Sequence, residues 1–140
     1  MSIKKHSAVA KNIQMKKVLS HIKLIVWVIV IGILCFTPGN ELNKVHINIP
    51  YFDKLVHFSM FFILASLIKG LHWKNHISDK IFYCYLTSAA TYGAVIEIVQ
   101  SLWINMRSGD WADWLFDSVG VVLAVVFFGL WHRKMKEIWG

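Results

Sequence analysis

Glu97-Ile-Val-Gln100-Ser-Leu-Trp-Ile-Asn-Met-Arg107-Ser-Gly-Asp110-Trp-Ala-Asp113-Trp-Leu-Phe-Asp117 leaves one apolar run, crosses a short polar loop and enters the next. The stretch carries the carboxylates Glu97, Asp110, Asp113 and Asp117 together with Gln100 and Arg107, in a chain that is 56% hydrophobic. An ionisable group near the centre of a membrane costs roughly 2.5–3.5 kcal/mol, so such groups turn into a bundle interior and serve a purpose there. This cluster is the candidate site, and its two flanking apolar runs decide the fold.

Outward from it, four apolar segments alternate with polar connections. They run from about Val18 to Phe36, Asp53 to Leu71, Ile81 to Trp103 and Trp111 to Trp131. Each is long enough at ~1.5 Å per residue to cross a hydrocarbon core of ~30 Å. A mean hydropathy of +0.52 and 16% charged residues exclude an ordinary soluble domain. The chain has 140 residues, which is room for one domain, with an expected division into a basic arm (1–17), a membrane domain (18–131) and a basic tail (132–140). The first segment is an uncleaved anchor rather than a secretory signal. Phe36-Thr37-Pro38 offers no small-residue cleavage site, and Leu34 before Cys35 spoils a lipoprotein box.

The net charge of +7 sits in short clusters between apolar runs, not in a stripe that would track nucleic acid, so no nucleic-acid partner is expected. Lys4, Lys5, Lys11, Lys16 and Lys17 precede the first span, Lys69, Lys74 and Lys80 lie around the second connection, and Arg133, Lys134 and Lys136 close the chain. The first loop carries only Lys44 and Lys54, and the third only Arg107. By the positive-inside rule both termini are cytoplasmic. The expected fold is therefore all-α, a polytopic four-transmembrane-helix bundle. Cys35 and Cys84 fall at opposite depths, which argues against a disulfide.

That orientation collects the unusual polar residues at the outer end. Asp53, Lys54 and His57 open the second span, Glu97 and Gln100 close the third, and Asp110, Asp113 and Asp117 occupy the first turns of the fourth. Asp53 and His57 are four apart, as are Asp113 and Asp117, so each pair shares a helix face. Asp110, Asp113, Asp117, Gly120 and Ala124 form one stripe, acidic above and small below, which lets another helix approach closely.

Each residue has a sharper and a plainer reading. His57 is a general acid, base or nucleophile with its tautomer fixed by Asp53, or an interfacial histidine facing headgroups. Arg107 clamps a phosphate with two parallel hydrogen bonds, or pairs with Asp110, or meets lipid headgroups without chemistry. Asp110 after Ser108-Gly109 reads as a helix N-cap with Asp113, at the third helical position, favoured by the dipole, which leaves Asp117 unexplained. Asp113 and Asp117 together offer oxygen ligands for a divalent cation. Glu97, inside an apolar span, is a proton donor or acceptor, or a buried hydrogen-bond partner of another helix. Trp103, Trp111, Trp114 and Trp131 suit membrane interfaces, and Tyr92, Ser88 and Gly93 suit helix packing.

Asp53-Lys54-x-x-His57, then Glu97-x-x-Gln100, then Arg107-x-x-Asp110-x-x-Asp113-x-x-x-Asp117-x-x-Gly120 resembles the pattern of the VanZ-like family of small bacterial membrane proteins, over about residues 53–124. The family often has Asn where this chain has Asp117, and the extra carboxylate bears on metal affinity and proton count. The resemblance implies a bacterial inner (cytoplasmic) membrane protein, in a family named for accessory resistance to teicoplanin-type glycopeptides. It also implies kinship with membrane enzymes that cleave or exchange phosphate-linked headgroups of lipids. On that reading membrane lipids or lipid-linked phosphates are the partners, His57, Glu97, Asp113 and Asp117 are catalytic, and Lys54, Gln100, Arg107 and Asp110 bind substrate. The rivals are a non-catalytic protein that binds lipid or envelope components, and a small permease or scramblase, since intramembrane carboxylates also mark transport paths.

Overall fold

The computed structural model describes residues 2–37, 51–103 and 110–139, and every regular element among them is a helix. Helix α1 spans Ser2–Phe36, α2 Phe52–Asn75, α3 Asp79–Trp103 and α4 Trp111–Trp139. All four contain a stretch long and apolar enough to cross a membrane: Gln14–Phe36, Phe52–Asn75, Asp79–Leu102 and Trp111–Leu130. The polar loop expected up to Pro50, and Arg107 with its neighbours at 104–109, lie outside the described residues.

The helix ends follow from local chemistry. α1 stops at Phe36, two residues before Pro38, whose ring disfavours helical backbone in the residue it follows. α2 stops where His76 takes the left-handed conformation with φ 50°, the geometry of a common helix C-terminus. α4 starts on Asp110, whose Oδ1 accepts the Ala112 N–H at 2.9 Å while its carbonyl accepts the Asp113 N–H at 2.8 Å. The change of composition at residue 17 brings no break, because the lysines, alanine and leucine there are good helix formers and no Gly or Pro intervenes. The same is true past residue 131, where α4 continues to Trp139.

α2 is the centre of the bundle. It packs on α1, α3 and α4, most closely on α4, while α1 and α4 are not neighbours. The close approach of α2 and α4 is made at Gly120: a Cβ there would stand 2.6 Å from the Phe58 carbonyl oxygen and 3.1 Å from the Phe62 nitrogen. The small end of the expected stripe thus meets the backbone of α2. The core is Ile31 and Cys35 of α1, Met60, Phe61, Leu64 and Ile68 of α2, Ile96 of α3 and Ala124 of α4. Outside it, Ile25, Ile29, Tyr83, Val122, Val126 and Leu130 are exposed, as side chains that face lipid are.

α1 is tied to the rest by hydrogen bonds onto main-chain oxygens. The Trp27 indole donates to the Met60 carbonyl (3.0 Å) and the Tyr92 hydroxyl to the Val28 carbonyl (3.0 Å). Tyr92 is a helix-packing residue, as its sequence position suggests. Ser88 is not: it is exposed and bonds back to the Cys84 carbonyl of its own helix. Cys35 is buried and Cys84 is exposed, and no disulfide joins them.

Candidate functional site

Antiparallel connection brings the start of α2, the end of α3 and the start of α4 to one end of the bundle, opposite Ser2 and Trp139. Here the structure buries His57 (1% exposed), Asp117 (0%), Gln100 (2%), Asp113 (7%) and Glu97 (8%) in a chain whose interior is otherwise apolar. A buried charge without a partner is costly, so what each of these groups touches defines the site.

His57 and Asp117 form its inner layer. The Nδ1 of His57 donates to Oδ1 of Asp117 at 3.2 Å, since an ionised carboxylate can only accept. Gly93 of α3 makes room for that acid: a Cβ there would meet Asp117 Oδ2 at 2.8 Å. Asp117 Oδ2 is buried and has no hydrogen-bond partner among the described residues. Glu97 Oε1 is in the same condition and lies 3.9 Å from His57 Nδ1. The other oxygen of Glu97 accepts the Asp110 N–H at 2.8 Å, so Glu97 also fastens the end of α3 to the start of α4.

Lys54 covers this layer. Its ammonium donates to Asp110 Oδ2 at 2.6 Å and to Asp113 Oδ1 at 2.9 Å, which uses two of its three N–H groups and leaves one for a ligand. The lysine's hydrogen bond holds the Asp110 carboxyl below its ordinary range, with the capping Ala112 N–H acting in the same direction.

The contacts of several predicted site residues differ from those the sequence suggests. Asp53 does not orient His57. Its side chain is 56% exposed and its carboxylate is 3.8 Å from Lys54, because the turn that opens α2 faces outward while His57 turns to α4. Gln100, expected on substrate, donates from Nε2 to the Cys35 carbonyl at 2.7 Å and holds α1 to α3. Asp110, also expected on substrate, has both oxygens committed, one to the helix cap and one to Lys54. Of the expected metal pair Asp113 and Asp117, Asp117 is one turn deeper, against His57. The group whose donor atoms all lie within 4.8 Å of one another is His57, Glu97 and Asp113.

Sequence reading missed the tether made by Trp27, whose indole N–H on an apolar helix was its one signal. Trp114, expected at a membrane interface, also reaches across from α4 to donate to the Ala90 carbonyl of α3 at 3.2 Å.

The family model described as VanZ/LLP1 matches residues 5–132, nearly the whole chain and all four helices. The chain belongs to the VanZ/LLP1 family. It is thus a multi-pass membrane protein of that family, and the resemblance carried by Asp53 to Gly120 is confirmed over a longer span than the motifs cover. No curated protein matches it. No solved structure does either.

Proposed function

We propose that this VanZ-family protein is a bacterial inner-membrane enzyme that acts on lipid-linked phosphate. Both termini are cytoplasmic on this reading, and the polar end of the bundle opens to the outer leaflet. The reading is carried by one observation: a buried histidine held by a buried aspartate, beside oxygens of Glu97 and Asp117 that have no hydrogen-bond partner among the described residues. Few carboxylate oxygens stay unsatisfied in an apolar interior, and sites that move a proton or hold a ligand are among the exceptions.

Hydrolysis of a phosphoester adds water to phosphorus, breaks the bond to the alcohol oxygen, and carries one proton from the water to that oxygen. The groups able to hold that proton here are the two unpartnered oxygens and the His57 ring. The remaining N–H of Lys54 points to phosphate binding, with Arg107 of the following loop as the second cation. The lipid's phosphate would enter at the end of the bundle, where headgroups lie, and its tail would remain among the exposed apolar faces.

Binding without chemistry is the second reading. It is favoured by how many polar groups serve the fold: Gln100, Asp110 and one oxygen of Glu97. Under either reading an effect on glycopeptide resistance would follow from altered envelope lipid at the outer surface.

Purified protein in nanodiscs, given radiolabelled polyprenyl or glycerophospholipid phosphate, is expected to release a phosphate or alcohol product. Glu97→Gln keeps a carbonyl oxygen for the Asp110 N–H, so loss of turnover in that folded variant would report chemistry rather than stability. Stoichiometric lipid binding with no product, in the wild type, would select the second reading. Fluorescent-protein and alkaline-phosphatase fusions at each end test the orientation, which fails if the phosphatase fusion is the active one.

A further inference from the structure

The buried acids of this site exceed its fixed cations. Among the described residues, Glu97, Asp113 and Asp117 are buried carboxylates, Asp110 stands beside them, and the ammonium of Lys54 is the cation that touches them. Such an excess repels the phosphate that the preceding reading brings to it. It also leaves two carboxylate oxygens without partners. One addition would offset that charge and take up the open oxygen of Glu97.

We propose that His57, Glu97 and Asp113 are the ligands of a divalent transition-metal ion, Mn²⁺ or Zn²⁺. One donor atom from each lies within 4.8 Å of the others, and all three residues are buried. Donors about 2.1 Å from a common ion stand about 3–4 Å apart, so closing on one asks each to move inward by a fraction of an ångström. Glu97 Oε1, buried and without a hydrogen-bond partner among the described residues, is the oxygen open to it. One imidazole and two carboxylates favour a borderline ion over Mg²⁺ or Ca²⁺, which take oxygen throughout.

The surrounding residues match what such an ion needs. Asp117 holds the His57 ring through Nδ1–H, so an ion would take Nε2, the ring's other nitrogen. Lys54 holds one oxygen of Asp113. Three protein ligands leave a position open, as catalytic sites do. An ion there supplies the positive charge that a lipid phosphate needs to approach these acids, and Asp117 Oδ2, outside the ligand group, remains to hold a proton. What the ion does rests on the lipid-phosphate reading; where it binds rests on the three side chains.

The test is metal binding by the purified full chain, stripped with chelator and held in maltoside detergent without lipid phosphate. Mass spectrometric metal analysis after Zn²⁺ loading should find one ion per chain. Titration with Mn²⁺, followed by electron paramagnetic resonance, should show one site with nitrogen coupling from an imidazole. Glu97→Gln and Asp113→Asn should each weaken binding at least 10-fold, and His57→Gln should abolish the nitrogen coupling. Asp79→Asn, beside His72 at the opposite end of the bundle, should change nothing and so excludes adventitious binding there. Absence of binding in folded wild type at millimolar ion, or binding that survives Glu97→Gln and Asp113→Asn, overturns the proposal. Because lipid is absent, a protein that binds the ion but turns over no lipid phosphate upholds the metal site and rejects the enzyme.

Discussion

The His57 ring donates to Asp117 across 3.2 Å, from the second helix to the fourth, where both side chains are shut off from solvent. Asp117→Asn keeps the shape but removes the charge that fixes the ring. Turnover or metal affinity should fall about 10–100-fold, the usual cost of losing a carboxylate behind a functional histidine. Gly93→Ala should have a similar effect with the charge retained, since its methyl group would press on Asp117 Oδ2 at 2.8 Å. Unchanged activity in both variants would show that the pair is only structural.

Gly120→Ala is expected to destabilise the protein by about 1–3 kcal/mol, the range for an extra methyl group in a packed interior. The atom in its way is a main-chain oxygen of Phe58, which has no rotamer to adopt. Gly70 and Gly129 have nothing within 4 Å of the same position. Thermal unfolding in detergent should therefore show a fall of several degrees for Gly120→Ala and none for Gly70→Ala or Gly129→Ala.

Gln100→Leu should lower stability and spare turnover, because the amide holds the Cys35 carbonyl. Hydrogen bonds between membrane helices are worth about 0.6 kcal/mol on average and up to ~1.7. Adding Tyr92→Phe, which removes the bond to the Val28 carbonyl, should add a similar loss and loosen α1. A large fall in turnover by Gln100→Leu at full stability would return Gln100 to the substrate.

Asp110 sits at the membrane end of α4, bonded to Lys54 and carrying its backbone N–H on Glu97. Its carboxyl is held below its ordinary value of 3.8, with the Lys54 hydrogen bond as the main cause. A group with a depressed folded value stabilises the fold above its ordinary value and loses that contribution as pH falls through the depressed one. Wild type should thus melt higher than Asp110→Asn at neutral pH, and the gap should close as the pH is taken below about 4. A gap independent of pH would mean that the ion pair with Lys54 is not its source.

Much of this was legible in the residues. The cap on Ala112 follows from Ser108-Gly109-Asp110, because a short acid before an apolar run accepts the first free N–H groups of a helix. The contact at Gly120 follows from a small residue in register with the acids. The pairings were less legible. Asp53 and His57 are neighbours along a helix face, yet His57 turned to Asp117, sixty residues on, because spacing along one helix says nothing of what another helix presents.

The apolar runs by themselves determined four membrane helices, since hydrocarbon satisfies no backbone groups and a helix satisfies its own. Their alternating direction also determined that the acids of α3 and α4 would share an end with His57. Only the tertiary structure decided which carboxylate faces the histidine, which faces the lysine, and which oxygens are left open. Those depend on how each helix is rotated about its axis, and here the rotation is set by the contact of Gly120 with the backbone of α2 and by the room that Gly93 leaves for Asp117.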